Sequence, residues 1–156
     1  MSCPVPTPLQ RLLKTVGESP FWRATGHLHT WLYQTTGGRV GHSAGSIKNL
    51  LLTTTGRRTG ERRTCPLTYM PDEGRYILVA SNGGSDRPPA WWFNLKKTPR
   101  ATVQVGAETF EVTAADAGPD ERARLWPRLK TYNPFYAQYE QITERTIPVV
   151  ILTRTR

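Results

Sequence analysis

Four arginines and two glycines crowd into Thr53-Thr54-Thr55-Gly56-Arg57-Arg58-Thr59-Gly60-Glu61-Arg62-Arg63. Glycines let backbone N–H groups converge and guanidinium forks grip phosphate or carboxylate oxygens, so the segment reads as an anion site. A surface hairpin with solvated arginines is the alternative. No Gly-Lys pair follows Gly60, and no G-x-G-x-x-G follows a strand, so neither a Walker loop nor a dinucleotide fingerprint is present. A second cluster, Ser81-Asn82-Gly83-Gly84, leads through Pro88-Pro89 into Ala90-Trp91-Trp92-Phe93-Asn94-Leu95. The glycine pair lets a flat ring approach the backbone, and Ser81 can hydrogen-bond its edge. Trp91 and Trp92 either face such a ring or pack a helix on the core. Tyr132, Tyr136 and Tyr139 fall at helical three-and-four spacing, which suggests a wall that is apolar in body and polar at its tips; packing is again the alternative. His27 and His29 would diverge by about 200° on a helix and cannot share a metal, and His42 stands alone. No Ser-His-Asp order or paired carboxylates stand out, so no metal is expected and the bond-making is assigned to a bound cofactor.

These clusters need elements to position them. Thr7-Pro8 with Leu9, Leu12, Leu13 and Val16 predicts a short amphipathic helix ending at Gly17. Ser19-Pro20 starts a second, which ends at Gly37-Gly38, and residues 37 to 46 read as a loop. Residues 1–46 form a helical arm and loop; residues 47–156 form the main body of a single structural domain. Strands are expected at Leu50 to Thr55, Arg63 to Met70, Tyr76 to Ser81, Ala101 to Val105, Thr109 to Ala115 and Pro148 to Thr153. Their turns, Gly56 to Gly60, Asp72-Glu73-Gly74 and Gly106-Ala107-Glu108, have hairpin length, so pairing should be antiparallel. Helices are expected from Pro89 to Lys97, from Pro119, and from Pro134 behind an Asn133 cap. The fold class is α+β, an antiparallel sheet curled into a β-barrel whose closure removes the sheet edges, with inserted and N-terminal helices.

The 156 residues suit one domain, and 37% apolar residues exclude the disordered classes. Two cysteines, Cys3 and Cys65, argue against a disulfide framework and for a reducing compartment, so the cytoplasm is expected. Lys plus Arg number 21 against 12 for Asp plus Glu, and the resulting net charge of +9 calls for an anionic partner. The arginines gather in one turn and do not interleave with aromatics along strands, which disfavours a nucleic-acid-binding barrel.

Taken together, Leu51-Leu52-Thr53-Thr54-Thr55-Gly56-Arg57-Arg58-Thr59-Gly60, Arg63, Pro66-Leu67, Ala80-Ser81-Asn82-Gly83-Gly84, Pro89-Ala90-Trp91-Trp92 and Asn94-Leu95 resemble the deazaflavin-dependent nitroreductase family of actinobacteria. Ala115-Asp116-Ala117, Glu121-Arg122, Trp126-Pro127, Tyr136, Tyr139 and Arg145-Thr146-Ile147-Pro148 extend the resemblance, which covers residues 30 to 152. It implies an antiparallel split β-barrel of the FMN-binding type that binds coenzyme F420, a deazaflavin whose phosphate continues into an oligoglutamate tail. By resemblance, Arg57, Arg58, Thr59, Gly60 and Arg63 hold phosphate and tail, and Pro66 lies beside the ring. Ala80, Ser81, Asn82, Gly83, Trp91 and Trp92 would lie against the ring. Asn82 stands where compared members carry Lys; Thr68 and Asn133 replace tyrosines of the nitroimidazole-reducing member, which puts nitro prodrug reduction in question.

The expected activity is hydride transfer from reduced F420 to a quinone, enone or nitroaromatic acceptor, with Ser81, Tyr136 and Tyr139 as catalytic candidates. A non-catalytic F420 carrier and an FMN-dependent split-barrel reductase are the alternatives. FMN's shorter phosphate would leave turn arginines unpaired. The N-terminal helix is expected to meet the pocket mouth or a membrane surface, with Arg11 and Lys14 toward anionic headgroups.

Overall fold

The computed structural model describes residues 43–44 and 47–155. The residues on which two N-terminal helices are expected, the three histidines and Cys3 lie outside the described residues. Seven strands follow: β1 (Ser43–Ala44), β2 (Ile47–Thr55), β3 (Arg62–Asp72), β4 (Arg75–Val79), β5 (Arg100–Val105), β6 (Glu108–Asp116) and β7 (Val149–Arg154). Three α-helices are interspersed: α1 (Ala90–Lys97), α2 (Pro119–Tyr132) and α3 (Phe135–Ile142). Ser43–Ala44, inside the stretch read as loop, pairs with Lys48 and Ile47. Two small residues carry no alternation, so that strand had no signature in the sequence.

The sheet runs β1-β2-β3-β4-β7-β6-β5, and β5 returns to pair with β2. Every pairing is antiparallel, and the contact of Leu52 with Val103 closes a six-stranded barrel. The expected barrel is therefore present. Side chains alternate as the pleat requires. Leu50, Leu52, Leu78, Val103, Val112 and Leu152 turn inward and are at most 1% exposed. On the outer faces Met70, Ile77, Val79 and Val149 pack against Leu125, Trp126 and Leu129 of α2 and Tyr136 of α3.

Local chemistry fixes the helix starts. Gly118 caps α2 in extended conformation, Pro119 takes the first turn, and Asp120 and Glu121 meet the positive end of the helix dipole. Helix α2 stops at Asn133, whose φ of −137° leaves the helical region, while its Oδ1 accepts a hydrogen bond from Phe135 N–H at 3.2 Å as α3 begins. The tyrosine wall is corrected by this break. Tyr132 ends one helix while Tyr136 and Tyr139 belong to the next, so the three hydroxyls do not share one helical face.

At the β3–β4 turn Glu73 and Gly74 both have positive φ, 49° and 77°, the twist that suits a two-residue hairpin. Beneath it Asp72, 4% exposed, accepts hydrogen bonds from Arg75 at 2.6 Å, Arg124 at 2.7 Å and Arg128. The Arg124 guanidinium first, then Arg128 and Arg75, outweigh desolvation and hold Asp72 well below the usual carboxylate range. Hairpin and helix α2 are joined through this one buried carboxylate.

Candidate functional site

Residues 56–61 form the basic turn between β2 and β3. Gly56 N–H donates to Glu61 O at 2.7 Å and Gly60 N–H to Gly56 O at 2.8 Å. The turn is tied to helix α1 by Asn94, which is 7% exposed. Asn94 Oδ1 accepts from Arg57 N–H at 3.0 Å while its Nδ2 donates to Thr54 Oγ1 at 3.0 Å. Lys97 Nζ adds a bond to Arg57 O at 2.8 Å. The Arg57 guanidinium lies 4.4 Å from the Phe93 ring centre, a cation–π contact that leaves its N–H edge for another acceptor.

The charges of the turn are unevenly matched. Arg63 pairs with Glu61 at 2.6 Å, but the side chains are 60% and 65% exposed, so the pair contributes only ~0–1 kcal/mol and exchanges readily. Arg62 donates to Thr102 Oγ1 at 2.8 Å. Among the described residues no carboxylate forms a salt bridge with Arg57, Arg58, Arg62 or Lys97. Pro66 stands opposite Leu51. Its neighbours Cys65 and Leu67 pack on the barrel interior, so Pro66 and Arg62 share the outer face.

The second cluster leaves β4 as a tight turn. Ser81 is helical in φ and ψ, whereas Asn82, Gly83 and Gly84 have φ of 49°, 63° and 80°. A Cβ at Gly84 would lie 3.3 Å from Tyr139 Cδ1 and 3.4 Å from its Cα, so only glycine allows helix α3 to close on this turn. Gly83 faces open space. Behind the turn Arg145 donates from Nη2 to Ala80 O at 3.0 Å and Ser81 O at 2.9 Å, and from Nε to Ser85 O at 2.9 Å. Burial lowers the Arg145 pKa from its usual value, with the Asp86 charge opposing. Among the described residues, the N–H groups of Ser81, Asn82 and Gly83 and the Ser81 hydroxyl have no hydrogen-bond partner, while Asn82 Nδ2 donates to Arg87 O at 2.9 Å.

The aromatic candidates divide. Trp91, 7% exposed, packs among the barrel residues. Full burial of a large apolar side chain is worth roughly 1.5–3 kcal/mol, so Trp91 supports the fold whatever else it touches. Trp92 is half-buried, and its Nε1 donates to Asp116 Oδ1 at 3.0 Å, beside a Lys96 to Asp116 ion pair. Tyr136, 6% exposed, stacks on Trp126. Burial pushes its hydroxyl up to about 12, against a bond from Asn133 that lowers it. Tyr139 is half-buried beside Gly84, and burial raises its pKa too, so both hydroxyls stay protonated at neutral pH. Tyr132 accepts at its hydroxyl from Lys48 N–H at 2.8 Å. The structure thus brings Ala80, Ser81, Asn82, Gly83 and Tyr139 together, with the Tyr136 ring 6.4 Å from that of Tyr139, places Arg57, Arg58, Thr59 and Gly60 on the basic turn and Arg63 at the start of β3, and engages Tyr132 with Lys48.

Such a barrel, with a basic turn and a glycine turn that spends its Gly84 and Ser85 N–H groups internally but not those of Ser81, Asn82 and Gly83, defines a split-barrel oxidoreductase class that takes a flat, anionic cofactor. The chain belongs to the F420H(2)-dependent quinone reductase family, whose model matches residues 25–154. It is 44% identical over 131 residues to an F420H(2)-dependent quinone reductase of Mycobacterium tuberculosis, covering 81% of this chain and 88% of that protein. A solved F420-H2 dependent reductase superposes with a TM-score of 0.62 at 38% identity, over 67% of this chain and 93% of the other. A further solved structure, described only as a domain-swapped dimer, gives a TM-score of 0.65 at 34% identity over 86% of this chain and 100% of the other. The chain is an F420-dependent oxidoreductase, and its residues fit that cofactor: unmatched cations for phosphate and carboxylates, open space at Gly83 for a flat ring, and unpaired N–H donors beside it.

Proposed function

We propose that the site passes hydride from reduced F420 to a quinone, with activated enones and nitroaromatics as further acceptors. The single observation that carries this reading is the run of donors at Ser81, Asn82 and Gly83, unpaired among the described residues, next to Gly84, against which Tyr139 packs. When bound, reduced F420 supplies the hydride. Arg57, Arg58, Thr59, Gly60 and Arg63 hold its phosphate and tail, and Asn94 keeps that turn in place. Pro66, Ala80, Ser81, Asn82 and Gly83 line the ring, with Trp91 and Trp92 behind. Water exclusion and face-on alignment by these residues supply most of the rate. The hydroxyls of Ser81 and Tyr139 hold the acceptor oxygen and offer it a proton. Tyr136, engaged with Asn133 and Trp126, supports Tyr139 from below and does not itself donate.

Mixing the protein with reduced F420 and a short-chain quinone tests the reading. Sustained oxidation of the cofactor, followed by its absorbance, is the expected result; a carrier would bind without turnover. Tyr139→Phe should lower kcat with cofactor affinity kept, while Tyr136→Phe keeps the parent rate. Equal rates for both variants would remove Tyr139 from the chemistry. The apolar face of Leu9, Leu12, Leu13 and Val16 is assigned to the pocket mouth or to a membrane surface where lipid-soluble quinones reside.

A further inference from the structure

Arg145 lies in the stretch between α3 and β7, yet among the described residues its three side-chain hydrogen bonds go to carbonyls of one distant turn: Ala80 O, Ser81 O and Ser85 O, at 2.9 to 3.0 Å. No side-chain carboxylate forms a salt bridge with it among the described residues. A trans peptide points its N–H opposite to its C=O. By drawing the Ala80 carbonyl toward itself, Arg145 therefore turns the Ser81 N–H to the other side, and by drawing the Ser81 carbonyl it does the same to the Asn82 N–H. Those N–H groups are unpaired. The Gly84 N–H also bonds Ser81 O, at 3.0 Å, which fixes the same peptide plane twice.

Beyond these, Ala80 N–H to Pro148 O at 2.9 Å, Ser85 N–H to Asn82 O at 3.1 Å and Asn82 Nδ2 to Arg87 O at 2.9 Å hold the stretch, and none of them fixes the Ala80–Ser81 peptide plane. Asn82 is left-handed without being glycine, an arrangement that costs free energy and relaxes unless its surroundings enforce it. The planar guanidinium fork is suited to the task because it reaches carbonyls on either side of the turn at once. An ammonium at the same place is a point donor.

We propose that Arg145 is the positioning residue of the hydride-transfer site: it orients the 80–85 backbone so that the Ser81 and Asn82 N–H groups form a fixed donor pair for an oxygen on the edge of the flat cofactor ring. Fixed donors of this kind bind a ring oxygen without reorganising, and they bind it more strongly as negative charge builds there. The inference rests on the reading that the 80–83 backbone faces the cofactor.

Three variants test it: Arg145→Ala, Arg145→Lys, and Arg145→Ala supplied with millimolar guanidinium ion. Thermal melting reports folding, and titration with oxidised F420 reports affinity and the absorbance maximum of the bound ring. The expected result is at least tenfold weaker binding in Arg145→Ala, with the bound absorbance maximum moved toward that of free cofactor. Guanidinium should restore both, and Arg145→Lys should remain weaker than the parent although it folds. Should Arg145→Ala fail to fold, Arg145→Lys decides: parent affinity with the parent absorbance maximum overturns the proposal. Parent-like binding in a folded Arg145→Ala overturns it too. Absence of F420 binding by the unaltered protein would instead sink the cofactor reading, so the two failures are distinguishable.

Discussion

Arg63 and Glu61 meet at 2.6 Å on an open surface, while Arg58 extends from the same turn with no salt-bridge partner. Charge-assisted contacts to phosphate are worth about 1.5–3 kcal/mol each, more than the exposed pair with Glu61 returns, so a bound phosphate takes Arg63 over. Arg58→Ala combined with Arg63→Ala should weaken F420 binding at least tenfold, and raising the salt concentration should narrow the difference from the parent. Unchanged affinity at low ionic strength removes the basic turn from the site. At this scale the sequence was partly legible. The arginines of the turn announce themselves by density, and the glycines by their pairing. Asn94 and Arg145 do not, because the groups they bond lie 37 and 40, or 60 to 65, residues away and form no local pattern. Arg145 was part of a motif, but nothing around it said which carbonyls it would reach.

Elements were read more easily than contacts. Alternation at Val103 and Val105, and the continuous apolar run Leu50 to Leu52, mark strands whose inner faces meet, and proline and glycine punctuate the rest. The tyrosine wall failed at this scale because spacing of three and four was carried across Asn133-Pro134, where the helix breaks. Asp72 gives the element scale its own prediction, since it ties the β3–β4 hairpin to α2 alongside the Arg75–Glu121 pair at 2.9 Å. Asp72→Asn should destabilise the protein by less than the about 3–5 kcal/mol of a fully buried pair, because its arginines keep contact with solvent. Binding of F420 should survive. In the unfolded chain this carboxyl protonates near pH ~3.9. Folded, it is held well below that value, so its contribution is complete above the unfolded pKa and is lost as pH falls through the folded one. Thermal melts from pH 6 downward should show the parent losing stability below pH ~4 faster than Asp72→Asn. Parallel curves would show that the network carries no such linkage.

For the whole molecule, the net charge of +9 and the clustering of unmatched cations at one end of the barrel have one explanation, a polyanionic cofactor. Among the described residues no helix is long and apolar enough to cross a membrane. Quinone access through the N-terminal segment, which lies outside the described residues, is part of the proposed function. Deleting residues 1 to 17 should leave F420 affinity intact while raising KM for long-chain quinones above that for short ones; loss of cofactor binding would place the segment in the core instead. The claim on which the rest depends is that this barrel holds a deazaflavin with its anionic tail. It is tested most directly by titrating the purified protein with oxidised F420 and, separately, with FMN at low and moderate salt, following cofactor absorbance or fluorescence. The account predicts F420 binding at least tenfold tighter than FMN and weakening as salt rises; equal or tighter binding of FMN, or F420 affinity indifferent to salt, would contradict it.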